Sequence, residues 1–346
     1  MEVNLSAVLE NARAVARTAG TRLLPVVKAN GYGVGAVAVA RALEALDPWG
    51  FGVATVAEGA ELREAQIDRP VLVFSPASPD ALDDYQRYRL TPVLETAEAI
   101  RAWGGSGSFH LGIDTGMSRA GVRWDEVAAL ADLLDTARLE GCYTQFHSAD
   151  RRDGSADEQL DRFLGAVACL KRRPPLLHVA NSAAALRDRR FALDMVRPGV
   201  YLYGGAPAEW IPGGRPVVSI RARVVSVRTV RRGETVSYNA TWAAPRDTVV
   251  ATLGIGYADG MRRALGLSGA AYVLLNGARC PVVGLVTMDY VMVETGGTAV
   301  AVGDVATLVG ESRGGRITLE QFTAWSGELQ REFLTGLGAR LPRLYE

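Results

Sequence analysis

Short apolar runs and amphipathic segments alternate through the first two hundred residues, and this alternation constrains the fold more than any other feature of the sequence. Strands are predicted at 22–27, 50–53, 70–75, 90–94, 108–113, 139–146, 175–179 and 193–197, with helices between most of them. Parallel strands require crossover connections, and about eight of them in succession indicate a (β/α)8 barrel of the TIM type. A doubly wound open sheet is the alternative, but no GxGxxG follows the first strand.

The pattern changes near residue 207, where PAEWIPGGRP has the composition of a linker. Beyond it, apolar or alternating runs separated by Gly, Asn and Asp turns predict strands at 217–230, 235–241, 249–253, 271–275, 282–286, 291–294 and 305–309, followed by one helix at 318–325. We therefore predict an α/β protein with two domains. Residues 1–210 form the barrel, and residues 211–346 form a smaller, mostly β domain.

Charge and cysteine content exclude several classes of protein. The 38 basic and 38 acidic residues balance, and no basic block is interleaved with aromatic residues, so we expect no nucleic-acid partner. We expect no membrane partner either, because no apolar run approaches the ~20 residues of a membrane span and no signal peptide is recognised. Three widely spaced cysteines, Cys142, Cys169 and Cys280, fit a reducing cytoplasm, and we predict no metal site.

The segment 23–35, LLPVVKANGYGVG, carries the most informative single residue. Lys28 follows a buried apolar run at the position where barrel strands end, so burial should depress its pKa or a covalent partner should cap its amine. Both conditions suit a Schiff-base lysine. A lysine that extends to solvent is the ordinary alternative, but the small residues and the single tyrosine that follow favour close approach of a ligand.

Other polar residues follow later barrel strands, where the active sites of barrel enzymes lie. Arg119 follows the fifth strand, His178, Asn181 and Ser182 follow the seventh, and Arg197 follows the eighth. A hydroxyl at the start of a helix can bind phosphate, because free N–H groups and the helix dipole favour an anion. The ordinary alternatives are an Arg119–Asp114 ion pair, a core histidine and a simple helix cap.

The motifs together resemble the alanine racemase family. Lys28 to Gly35 is similar to the family's KANAYGHG, Asp114 to Gly121 to DTGMxRxG, and Arg197 to Gly204 to RPGIxxYG. The later matches, which extend the resemblance to nearly the whole chain, are VSYNATW at 236–242, GYADG at 256–260, TMD at 287–289 and RLPRLY at 340–345.

The resemblance implies a cofactor, pyridoxal 5′-phosphate, and two catalytic residues, Lys28 and Tyr238. Racemisation needs a base on each face of the planar reacting carbon, because one group cannot easily serve both faces. In the family the tyrosine comes from the partner subunit, so a homodimer with shared active sites is implied. A free phenol is a weak base at neutral pH, and Arg119 is the cation that would assist it.

The resemblance also implies the remaining roles. The residues that would hold the cofactor, besides Lys28, are Tyr32, Gln145, His178, Asn181, Ser182, Arg197, Gly199 and Val200. The residues that would contact a small amino-acid substrate are Arg119, Tyr257, Met288 and Asp289. In the family the arginine at the position of Arg197 faces the pyridine nitrogen, and because it keeps its proton, the ring is a weak electron sink that suits proton exchange.

Three positions depart from the family. Gln145 replaces a histidine that stacks on the cofactor ring, Gly112 stands where several members carry a carbamylated lysine, and Ala339 replaces a tyrosine that binds phosphate in some members. Without that lysine, Arg119 must be held otherwise.

The favoured function is alanine racemisation that supplies D-alanine for peptidoglycan in the cytoplasm. The alternatives are a racemase of serine or another small amino acid and a non-catalytic cofactor-binding homologue. Decarboxylases of similar architecture usually pair the pyridine nitrogen with an acid, which Arg197 disfavours. A cofactor carrier would resemble the barrel alone.

Overall fold

The computed structural model describes the backbone of all 346 residues and every side chain except that of Pro79. It contains two compact units: Ser6–Arg215, here called the barrel unit, and Met1–Leu5 with Pro216–Glu346, here called the β unit. The sequence pattern predicts that the first five residues are part of the barrel domain. They belong with the β unit because Glu2 pairs with Ser219 and with Leu344, and a strand of two residues carries no pattern that would indicate its partners.

The barrel unit contains eight strands that pair in parallel around a closed circle. They lie at Arg22–Leu23, Phe51–Val53, Val71–Pro76, Thr91–Leu94, Phe109–Asp114, Leu139–Tyr143, Leu176–His178 and Met195–Val196. The second to seventh strands form one sheet in sequence order. The eighth strand pairs with the first, a bridge from Val26 to Gly52 joins the first to the second, and the Asp194 N–H donates to the Leu177 carbonyl at 3.0 Å. This closure confirms the predicted barrel.

Helices occupy most of the connections between these strands. The α-helices of this part of the chain are Leu5–Ala19, Ala36–Leu43, Val56–Glu64, Leu82–Arg87, Ala97–Trp103, Ala131–Thr136, Ser155–Ala168 and Ser182–Arg187. The short strand Val122–Arg123 extends the pairing of the fifth barrel strand. Side chains on these strands and next to them form one fully buried core cluster, made of Leu24, Leu72, Val93 and Met195.

The β unit is built around the long strand Val218–Val230, which pairs antiparallel with Glu2–Val3, Thr248–Leu253 and Val305–Ser312. Its other strands are Thr235–Val236, Trp242–Ala243, Tyr272–Leu275, Ala278–Pro281, Val291–Glu294, Gly315–Ile317 and Leu344–Tyr345. Two α-helices, Leu319–Ser326 and Gln330–Thr335, follow the strand Gly315–Ile317. Val250, Val283 and Met292 form a buried core cluster of this unit.

Two predicted strands of the β unit were wrong in detail. The predicted strand 235–241 ends at Val236, because Ser237 and Asn239 adopt positive φ values of 69° and 61°. The predicted strand 282–286 is reduced to a single bridge between Val282 and Val293. The helix Gln330–Thr335 was missed. Among the described helices, none is both long and apolar enough to cross a bilayer.

Candidate active site

The turn after the first barrel strand carries Lys28 and has left-handed backbone geometry. Ala29, Asn30 and Gly31 have φ values of 54°, 52° and 59° with ψ near 50°, and Tyr32 has a φ of 53°. Each non-glycine residue in this conformation costs roughly 1–2 kcal/mol. Glycine at 31 avoids that cost. It also avoids crowding, because a Cβ there would lie 3.0 Å from the backbone nitrogen of Ala36.

Several hydrogen bonds hold this strained turn. The Gly31 N–H donates to the Val27 carbonyl at 2.7 Å, and Asn30 Oδ1 accepts from the Ala36 N–H at 3.0 Å. Glu58 adds a support that the sequence analysis did not anticipate. Its Oε1 accepts from the Ala29 N–H at 2.7 Å, and its Oε2 accepts from the Ala54 N–H at 2.6 Å. The T-x-x-E spacing of Thr55 and Glu58, which forms a capping box, is a sequence signal that could have identified Glu58.

The amine of Lys28 is half-buried and lies among positive charges. Burial is the main cause that lowers the pKa of Lys28, the charges of Arg119 and Arg197 lower it further, and Glu58 opposes them. A lowered pKa increases the neutral fraction of the amine, which is the nucleophilic form. Lys28 therefore has the electrostatic setting expected of a lysine that bonds covalently to an aldehyde.

Arg197, next to the eighth strand, is buried and held by a set of acceptors. Its Nη1 donates to the carbonyl and to Nδ1 of His178 at 2.6 and 3.2 Å. Its Nη2 donates to the carbonyls of Thr144 and Val179 at 2.8 and 3.2 Å and to Oε1 of Gln145 at 3.2 Å. Burial lowers the pKa of Arg197 to about 10, so the guanidinium keeps its charge at neutral pH. Within the described structure, every side-chain hydrogen bond of Arg197 uses Nη1 or Nη2, which leaves Nε available for an acceptor.

Two buried histidines extend this network into the barrel. Because Nδ1 of His178 accepts from Arg197, its Nε2 carries the proton and donates to Nδ1 of His110 at 2.8 Å. Nε2 of His110 is then protonated, and it lies 3.9 Å from Glu140 without a hydrogen-bond partner among the described residues. Burial lowers the pKa of both rings, to about 3 for His110. His110 was missed as a site residue, although a histidine inside the apolar run of the fifth strand is an unusual feature.

The residues predicted to bind phosphate form a compact group near Tyr32. Oγ of Ser182 accepts from the N–H of Gly199 at 2.9 Å and from that of Tyr201 at 3.4 Å. A Cβ on Gly199 would lie 2.5 Å from the Tyr32 hydroxyl, so this approach requires glycine. Asn181 acts as an ordinary helix cap through a 3.1 Å bond from the Ala184 N–H, and Val200 begins a 3₁₀ turn that ends at Tyr203.

Arg119 lies in the loop after the fifth strand, and its side chain is exposed. Asp114, the alternative ion-pair partner, accepts instead from the backbone N–H groups of Gly116, Met117 and Ser118 at 2.9–3.1 Å. The structural alternative for Arg119, an ion pair with Asp114, is therefore wrong. The charge of Arg119 still acts on Lys28.

The site residues of the β unit lie along the segment 284–289. Ser237, beside Tyr238, donates to the Leu285 carbonyl at 2.7 Å, and the Tyr257 N–H donates to the Thr287 carbonyl at 2.9 Å. The exposed fractions of Tyr238, Met288 and Tyr257 are 68%, 52% and 43%. Asp289 is anchored by Nη1 of Arg340 at 2.9 Å. These side chains are accessible within their own unit, as ligand-contacting groups need to be.

The barrel residues suit pyridoxal phosphate on three grounds. Lys28 offers a nucleophilic amine, Arg197 offers an unused Nε–H donor for a ring nitrogen, and the close approach of Tyr32 to Gly199 forms a cradle that a Cβ would fill. Gln145, which departs from the family pattern, is fixed by its bond to Arg197.

Comparison with known proteins agrees with this geometry. The model of the alanine racemase N-terminal domain matches residues 3–207, and that of the C-terminal domain matches residues 217–345. The fold and the site thus define an enzyme of the barrel-plus-β class that uses pyridoxal phosphate. The chain belongs to the alanine racemase family.

Relatives and solved structures match over nearly the full length. An alanine racemase of Carboxydothermus hydrogenoformans is 38% identical over 99% of this chain and 98% of its own, and one of Deinococcus radiodurans is 39% identical over 99% and 97%. The crystal structure of alanine racemase from E. faecalis matches with a TM-score of 0.94 at 32% identity, covering 100% of this chain and 97% of that one. The Bartonella henselae alanine racemase, solved with covalently bound pyridoxal phosphate, matches with a TM-score of 0.91 at 27% identity, covering 100% and 98%.

These findings confirm the predicted fold class, the assignment to the racemases among the isomerases, and the cofactor.

Proposed function

We propose that this protein interconverts L- and D-alanine with pyridoxal phosphate as cofactor and with Lys28 and Tyr238 as its two acid–base groups. The observation that carries the proposal is the setting of Lys28, a half-buried amine at a barrel strand end whose pKa is lowered by burial, Arg119 and Arg197. Pyridoxal phosphate, when bound, supplies the electron sink that makes the Cα–H bond of an amino acid acidic.

Lys28 serves one face of the substrate. Its neutral amine accepts the Cα proton from that face while the phenol of Tyr238 donates a proton to the opposite face; in the reverse reaction the ammonium of Lys28 donates and Tyr238 accepts. The left-handed turn restricts where the amine can lie, because Glu58 and the Val27 carbonyl fix the backbone on both sides of it. Restricting a proton-transfer group in this way favours a productive geometry.

Tyr238 serves the opposite face, and we propose that it does so in the site of a partner subunit. Its side chain is 68% exposed on the β unit, which suits a residue that completes a site elsewhere. The flanking backbone is fixed by the bond from Ser237 Oγ to the Leu285 carbonyl. The functional assembly is accordingly a homodimer, and a monomer would lack one of its two proton-transfer groups.

Arg197 would bind the ring nitrogen through Nε. Five acceptor contacts hold its guanidinium in place, and a pKa of about 10 keeps it protonated at neutral pH, so it donates a hydrogen bond without transferring its proton. This favours simple proton exchange over transamination, because a ring nitrogen without a proton is a weaker electron sink. Tyr32, Ser182, Gly199 and Val200 would hold the phosphate.

Arg119, Tyr257, Met288 and Asp289 would bind the substrate. Arg119 is suited to the carboxylate, because its planar fork carries a permanent charge. We further propose a cytoplasmic enzyme that supplies D-alanine for peptidoglycan. The family membership and the small amino-acid chemistry support this role.

The test is incubation of the purified protein and pyridoxal phosphate with L-alanine or L-serine in D2O. Cα deuteration is followed by NMR and enantiomers are separated by chiral chromatography. D-alanine that forms with deuterium at Cα, faster than D-serine, is expected. Absence of exchange with alanine, despite a covalently bound cofactor, would refute the proposal.

A further inference from the structure

Glu95 is an acidic residue of the barrel mouth that the reaction described above does not use. It directly follows the fourth strand, Thr91–Leu94, so it lies at the same end of the barrel as Lys28. The residue is half-buried, and its Oε1 is fully buried without a hydrogen-bond partner among the described residues. A buried carboxylate oxygen left in this state costs free energy, so it requires an explanation.

The carboxylate of Glu95 fills space that a glycine leaves open on the neighbouring strand. A Cβ at Gly112 would lie 2.8 Å from Oε1 and 3.3 Å from Cγ of Glu95. Any side chain at position 112 would therefore displace this carboxylate. Glu95 can occupy this position only because residue 112 is glycine.

The loop that carries Arg119 returns to this same place. A Cβ on Gly121 would lie 2.6 Å from the backbone nitrogen of Asp114 and 3.2 Å from the carbonyl oxygen of Gly112, so the end of the loop packs directly on the fifth strand. Burial raises the pKa of Glu95, whereas the Gly121 N–H and the charge of Arg119 oppose that rise. The Glu95 carboxylate and the end of the Arg119 loop thus both pack against Gly112.

Asp114, which ends the fifth strand just before the Arg119 loop, is engaged with the loop backbone. Its Oδ1 accepts hydrogen bonds from three backbone N–H groups of the loop. Arg119 forms no ion pair within 4.0 Å in the described structure, and its side chain is exposed. Glu95 is therefore the anion placed to attract the guanidinium from the barrel side without neutralising it at short range.

We propose that Glu95 is a positioning residue that orients Arg119 toward the substrate carboxylate, and that Gly112 is required to make room for it. The inference rests on the proposed function, because it assumes that Arg119 binds the substrate carboxylate. A carboxylate that acts on the guanidinium without forming an ion pair with it restricts the guanidinium electrostatically and leaves its N–H fork available to a ligand.

The test compares Glu95→Gln and Glu95→Ala with the matched control Glu98→Gln, an exposed residue of the following helix. Each protein is loaded with pyridoxal phosphate, and its cofactor absorbance and thermal unfolding are recorded. KM and kcat for L-alanine are then measured, together with the Kd of propionate by calorimetry. Propionate carries the carboxylate without a reactive amine, so its Kd reports on Arg119 independently of racemisation.

Both Glu95 variants are expected to raise KM and the propionate Kd on the order of tenfold, with unchanged cofactor absorbance and a smaller effect on kcat. The double variant Glu95→Ala with Gly112→Asp, which returns a carboxylate from the neighbouring strand, should recover much of the loss. The proposal would be overturned if KM and the propionate Kd of the Glu95 variants lay within twofold of those of the Glu98→Gln control. It would also be overturned if the double variant had the same KM and Kd as Glu95→Ala. If the parent protein failed to racemise alanine while its propionate Kd still depended on Glu95, that result would overturn the proposed function but support the positioning role of Glu95.

Discussion

Oε1 of Glu58 accepts a hydrogen bond from the Ala29 N–H at 2.7 Å, one residue beyond Lys28. The other oxygen of the same carboxylate accepts from the N–H groups of Ala54 and Thr55 at 2.6 and 3.2 Å. One side chain thus joins the end of the second barrel strand to the left-handed turn that presents the amine. This arrangement stabilises a backbone that local preference disfavours.

Replacement of Glu58 by Gln should loosen this turn. An amide oxygen can accept on one side only, so at least one backbone N–H loses its charged acceptor, at a cost of about 1–3 kcal/mol in unfolding free energy. The midpoint temperature of thermal unfolding and the rate of covalent cofactor capture should both decrease. Glu61→Gln, on the exposed side of the same helix, is the control. Equal unfolding temperatures and capture rates in the two variants would contradict the role of Glu58 in holding the turn.

Replacement of Lys28 by Ala should abolish covalent capture of pyridoxal phosphate. The chain contains only one other lysine, Lys171, whose amine pairs with Asp132 at 2.7 Å on the surface. Borohydride reduction followed by peptide mass analysis therefore assigns the attachment without ambiguity. Lys171→Ala is the control and should keep the modification, and capture that persists in the Lys28 variant would disprove the assignment.

Replacement of Tyr238 by Phe should keep the cofactor, slow racemisation in both directions, and slow Cα exchange from one enantiomer more than from the other. The phenolic oxygen serves one face of the substrate, so Cα exchange started from one enantiomer should fall by about 10²-fold or more. Exchange rates from L- and D-alanine in D2O give the comparison. Tyr345→Phe, at an exposed tyrosine of the same unit, should behave like the parent. If Cα exchange in the variant were equally fast from L-alanine and from D-alanine, that would argue against two bases.

Acidification should destabilise the barrel unit through its buried histidines. The pKa of His110 is lowered to about 3, so between pH 6.5 and 3 the unfolded chain binds a proton that the folded chain does not. The free energy of unfolding therefore falls with falling pH, by about 1.4 kcal/mol per pH unit for each such histidine. Thermal unfolding of the parent and of His110→Gln from pH 7 to 4 tests this. The variant should show a shallower slope, whereas the exposed His147→Gln should match the parent.

The sequence was sufficient to predict the barrel, because its apolar runs are separated by helices with clear caps. Thr55 and Thr96 begin two of those helices with side-chain caps. The strand ends also indicated Lys28, Arg119 and Arg197, because a charged residue after a buried strand is conspicuous. The β unit was harder to predict, because the positive φ of Ser237 is set by tertiary contacts that alternation does not reveal.

The parts that sequence could not supply are those that depend on long-range packing. The bond from Glu58 to Ala29 spans 29 residues, and the contact between Glu95 and Gly112 is visible only when neighbouring strands are aligned. Both carboxylates looked like ordinary residues at the starts of helices. Their significance depends on which backbone or loop the barrel brings to them.

The pairing of Glu2–Val3 between Val218–Ser219 and Leu344–Tyr345 has a consequence for synthesis of the chain. The Met1 amino group donates to the Pro342 carbonyl at 2.9 Å, so residues that are far apart in the order of synthesis are direct neighbours. Residues 344–345 must therefore leave the ribosome before Glu2–Val3 can pair on both sides. Vectorial folding can complete the barrel during translation, whereas this part of the β sheet must wait until residues 344–345 have been made. A fragment that starts at residue 216 would expose an open sheet edge and be prone to self-association.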